Sequence, residues 1–143
     1  MKDELITFDT AKLAKEKGFD WKVRYSFGHK INPHIAYPKE DYSISCDFNS
    51  PNVARNWKDL CSAPTQSLLQ KWLREVHEIR VDVYAWYHFP FYAFNLFKGR
   101  NLTNLFNIEW AETNEFHKEK GTSSTFTYEE ALECGLQEAL KLI

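Results

Sequence analysis

The chain has 143 residues, 43% of them apolar and 27% charged, with a formal net charge of −2. That length suits one domain with a real core, and the near-neutral balance lacks both the basic surplus of a nucleic-acid binder and an acidic tail. Aromatic residues make up 16%, which argues against disorder and for a core rich in rings.

From the N-terminus, residues 9–17 predict a short helix. Asp9 or Thr10 caps its start, Ala11, Leu13 and Ala14 form its apolar side, and Gly18 ends it in the left-handed conformation. Residues 21–27 alternate Trp21, Val23, Tyr25 and Phe27 against Lys22, Arg24 and Ser26, the pattern of a half-buried strand. Gly28, Asn32-Pro33 and Tyr37-Pro38 mark residues 28–40 as a loop. Residues 42–48 alternate again, with Tyr42, Ile44, Cys46 and Phe48 on one side, and are expected to pair antiparallel with the first strand. Residues 49–62 connect, with one helical turn expected at 53–57.

Residues 64–77 predict an amphipathic helix. Pro64 suits its first turn, and Leu68, Leu69, Trp72, Leu73 and Val76 form one stripe. Gln66, Ser67, Gln70, Lys71, Arg74 and Glu75 are expected to face away. Residues 79–88 give the clearest strand, with Ile79, Val81, Val83, Ala85 and Tyr87 on one face. Arg80, Asp82, Tyr84, Trp86 and His88 share the other. Residues 106–110 mirror it through Phe106, Ile108 and Trp110. The stretch between, 88–105, is long for a hairpin loop and has room for another strand at 91–97, with a turn at Lys98-Gly99-Arg100-Asn101. Residues 112–124 are polar and read as a surface loop.

The last helix spans 128–143. Thr127 and Glu130 have capping-box spacing, and Leu132, Leu136, Ala139, Leu140 and Ile143 line one side. An exposed glycine inside a helix costs about 1 kcal/mol relative to alanine. Gly135 beside Leu132 and Leu136 therefore predicts a close crossing with another element. The sum is a single α+β domain over 1–143, in the order α-β-β-α-β-β-α. It has an antiparallel sheet of about four strands with helices packed on one face.

Three phrases resemble a family of small uncharacterised proteins of gut anaerobic bacteria and their phages. They are Thr10-Ala11-Lys12-Leu13-Ala14-Lys15-Glu16-Lys17-Gly18-Phe19-Asp20, Ala63-Pro64-Thr65-Gln66-Ser67-Leu68-Leu69-Gln70-Lys71-Trp72-Leu73-Arg74-Glu75, and Tyr128-Glu129-Glu130-Ala131-Leu132-Glu133-Cys134-Gly135-Leu136-Gln137-Glu138-Ala139-Leu140-Lys141-Leu142-Ile143. The resemblance implies a bacterial or phage cytoplasm and a shared fold, and it assigns no catalytic residue.

The three cysteines, Cys46, Cys61 and Cys134, are odd in number and lack Cys-x-x-Cys spacing, which disfavours a disulfide framework or a zinc site and suits a reducing cytoplasm. No leader-like apolar segment follows Met1, and the richest apolar run, 84–97, is broken by His88, Pro90 and Asn95, so no membrane association is expected. The histidines His29, His34, His77, His88 and His117 lack metal-ligand spacing, and the few glycines form no phosphate loop, so no metal or cofactor is expected. Glu109, Glu112, Glu115, Glu119 and His117 are the carboxylate-rich candidates for acid–base work, with solvated charges as the simpler reading. Cys61 alone lies near a helix N-terminus, where a thiolate is favoured.

Two surfaces remain. The row Arg80, Asp82, Tyr84, Trp86 and His88 has the mixture of rings and charges that binding surfaces use, unless a covering loop buries it. Gln66, Gln70, Lys71 and Arg74 on the 64–77 helix have the side chains that read base edges, although Glu75 and Glu78 offset their charge. The favoured function is a noncatalytic interaction or regulatory protein that binds another protein or its own copy. Nucleic-acid binding through the helix is the first alternative, and an enzyme with a site assembled from distant residues is the second.

Overall fold

The computed structural model of the chain describes residues 3–28, 35–38, 46–51, 60–85, 92–99, 103–107 and 127–143. The chain divides into two compact units, Met1–Trp72 and Leu73–Ile143.

In the first unit, helix α1 spans Phe8–Glu16. Its N-cap is Thr7 rather than Asp9 or Thr10, and the Thr7 hydroxyl accepts from the Thr10 amide at 3.4 Å. At its other end Gly18 takes φ +84°, where a side chain would be strained. The Gly18 amide donates to the Lys15 carbonyl at 3.1 Å and the Phe19 amide to the Ala14 carbonyl at 3.0 Å. These paired bonds satisfy the last helical carbonyls and turn Phe19 inward. Its ring is buried and meets Trp72 edge-on at 5.3 Å.

Three short strands follow: β1 (Tyr25–Phe27), β2 (Tyr37–Pro38) and β3 (Cys61–Ser62), in the order β2-β1-β3, all antiparallel. The expected pairing of 21–27 with 42–48 is present as one antiparallel bridge, Val23 with Cys46; residues 42–45 lie outside the described residues, as does the helical turn expected at 53–57. Ser26 is buried in the middle strand opposite Ser62, whereas the Tyr25 ring is exposed. Val23 and Phe27 are buried as the alternation predicts, and Tyr25 and Ser26 depart from it. Asn49 ties this unit together. Its Nδ2 donates to the Phe19 carbonyl at 2.6 Å, its Oδ1 accepts from the Ser62 amide at 2.9 Å, and its own amide donates to the Asp47 carboxylate at 2.9 Å.

Helix α2 spans Gln66–Val76. It starts after Pro64 rather than with it. The Ile6 amide donates to the Pro64 carbonyl at 3.1 Å and the Gln66 amide to the Glu4 carbonyl at 2.7 Å, which holds residues 64–66 extended. Thr65 then caps the helix, its hydroxyl accepting from the Leu68 amide at 3.3 Å. Leu69, Trp72 and Leu73 are fully buried and Leu68 half-buried. Val76, expected in the core, is 52% exposed, because the buried part of the stripe stops at Leu73 and Val76 is the last helical residue.

In the second unit, β4 (Ile79–Ala85), β5 (Tyr92–Lys98) and β6 (Thr103–Asn107) form an antiparallel meander. The β4–β5 register runs from Ile79 opposite Lys98 to Ala85 opposite Tyr92. A register shift between Leu96 and Phe97 marks the β5–β6 pairing. The last helix, α3, spans Tyr128–Lys141 and packs on β4 and β5. Its capping box is complete. The Thr127 hydroxyl accepts from the Glu130 amide at 3.2 Å, and the Glu130 carboxylate accepts from the Thr127 amide at 2.8 Å.

Gly135 sits where α3 crosses the sheet. A Cβ there would lie 2.6 Å from Val81 Cγ1, closer than real Cβ contacts come, and 3.1 Å from Phe94 Cγ, a tight contact. Around it Leu132, Leu136, Ala139 and Leu140 are buried against a sheet face that includes Ile79, Val81, Phe94 and Leu96. Val83 is half-buried and Ile143 half-exposed, while Ile108 and Trp110 lie outside the described residues.

The class is thus mixed α+β. The described strands fall into two three-stranded sheets rather than one sheet of about four, and the order of the described elements is α-β-β-β-α-β-β-β-α. Among the described residues no helix is long and apolar enough to cross a membrane.

Candidate functional site

The β4–β5 register fixes which side chains share the sheet face that alternates with Val81 and Leu96. Arg80 lies opposite Phe97, Asp82 opposite Asn95 and Tyr84 opposite Ala93. Side chains directly opposite in an antiparallel pair project to the same side. This face therefore carries Arg80, Asp82 and Tyr84 on one strand and Ala93, Asn95 and Phe97 on the next.

Arg80 Nη2 donates to Asp82 Oδ2 at 2.5 Å, and the guanidinium carbon stands 5.3 Å from the centroid of the Phe97 ring. The two charged side chains are 42% and 38% exposed. At that exposure an ion pair adds about 0–1 kcal/mol to stability. Its more consequential property is chemical: a planar donor fork, a carboxylate and an aromatic face are held together at partial solvent exposure. Tyr84 is half-buried, and burial raises its phenol above the ordinary pKa of 10.0, so it stays a neutral hydroxyl donor through the neutral range. Trp86 and His88, the other members of the expected row, lie outside the described residues.

Periodicity missed Phe97 and Asn95. Residues 92–98 carry apolar side chains on both faces, so the stretch shows no clean alternation, and only the register places its ring beside Arg80.

The helix surface is less uniform than expected. Gln66, expected to face outward, is buried, because its amide is pinned to the Glu4 carbonyl and the first turn is drawn into the unit. Gln70 is half-buried; Lys71 and Arg74 are exposed. The Lys71 ammonium stands 5.8 Å from the Trp21 ring centroid, so part of its charge is engaged with an aromatic face. Ser67 donates a short hydrogen bond to the Asp3 carboxylate, which adds negative charge near the same N-terminal turn.

Cys61, the thiol near a helix N-terminus, is completely buried in β3 and lacks the access a nucleophile requires. The carboxylates Glu109, Glu112, Glu115 and Glu119 and the imidazoles His29, His34 and His117 lie outside the described residues. His77 is half-buried just after α2. Burial, and secondly the positive charge of Lys98, holds its imidazole below the ordinary pKa of 6.5. Among the described residues no group of three His, Cys, Asp or Glu side chains could hold a metal ion.

No protein-family model, curated protein or solved structure matches this chain.

Proposed function

We propose that this chain is a noncatalytic interaction or regulatory protein that recognises another protein, or a second copy of itself, through the Arg80–Asp82–Tyr84 face of its second unit. The observation that carries the reading is the partly exposed Arg80–Asp82 pair seated by the Phe97 ring. Arginine and aromatic side chains are enriched where proteins meet. Trp86 and His88 continue the same alternation along the sequence and belong to the proposed surface. The resemblance to small proteins of gut anaerobes and their phages supports a bacterial or phage setting.

Nucleic-acid recognition by α2 is the weaker reading. Lys71 and Arg74 are exposed, but Gln66 is buried and Lys71 lies against Trp21.

Site-specific photo-crosslinking in bacterial cytosol tests the proposal, with the photoreactive residue at position 84 and a control at exposed position 22. Discrete protein adducts at 84, absent at 22 and lost with Arg80→Glu, are expected. Adducts no more abundant at 84 than at 22, or adducts with nucleic acid alone, would overturn it.

A further inference from the structure

We draw no further inference here: the strongest candidate, the half-buried side-chain cluster of Asn95 and Phe97 beside Arg80 and Asp82 on the β4–β5 sheet face, belongs to the site already described, and nothing in the structure shows what covers it.

Discussion

Asn49 spends both ends of its side-chain amide on backbone groups, the Phe19 carbonyl and the Ser62 amide. Losing both bonds leaves two main-chain groups without protein partners, at a cost of about 1–3 kcal/mol. Asn49→Ala should lower the urea midpoint accordingly. Asn49→Asp should also destabilise, because it keeps the acceptor for Ser62 but sets a carboxylate against the Phe19 carbonyl; a wild-type midpoint for both variants would reject the clamp. Glu78 illustrates the opposite case. It takes φ 56°, and its carbonyl accepts from the Gly99 amide at 2.9 Å. Glycine relieves the side-chain conflict of that conformation, so Glu78→Gly should stabilise by about 0.5–1 kcal/mol; a loss of stability would contradict this. His77 supplies a pH dependence. Its folded imidazole is depressed below 6.5 by burial first and Lys98 second, so the unfolded chain binds the proton more readily. Its contribution to stability is present above pH 6.5 and lost as pH falls through the folded pKa. Urea midpoints between pH 7.5 and 5 should therefore flatten in His77→Gln relative to wild type.

Helices were easier to read than strands, for a physical reason. The 3.6-residue stripe and the end signals of α3 are local: Thr127, Glu130 and the leucines at 132, 136 and 140 declare themselves within one segment, and the capping box forms as its spacing requires. Thr127→Ala should cost about 1 kcal/mol in thermal unfolding, and a melting temperature equal to wild type would show that the cap is idle. The start of α2 was misplaced because the force that holds Pro64 extended comes from Glu4 and Ile6, distant in sequence. β2 and β3 are two residues each, too short to show any period. β5 was anticipated only as room in an overlong connection, since Phe94 and Phe97 place rings on both its faces and erase the alternation. The glycine signal travelled further. Gly135 in a leucine stripe announced a close approach, and its bare Cα faces Val81 and Phe94.

Within the second unit these pieces divide one small sheet into two unlike faces. One is closed by α3 through Gly135, Leu136 and Leu140; the other bears Arg80, Asp82 and Tyr84. The row of polar side chains was readable from the alternation of 79–88, but its aromatic floor was not, because Phe97 reaches Arg80 only through strand register. The proposed function depends on that division: substitutions on the polar face should alter recognition and leave the fold standing, while those on the covered face should do the reverse. Urea unfolding of Gly135→Leu beside Arg80→Ala tests it most directly. Gly135→Leu should lose about 1–3 kcal/mol by overpacking against Val81 and Phe94, and Arg80→Ala should stay within about 1 kcal/mol of wild type. An unchanged or raised midpoint for Gly135→Leu, or a larger loss for Arg80→Ala than for Gly135→Leu, would contradict it.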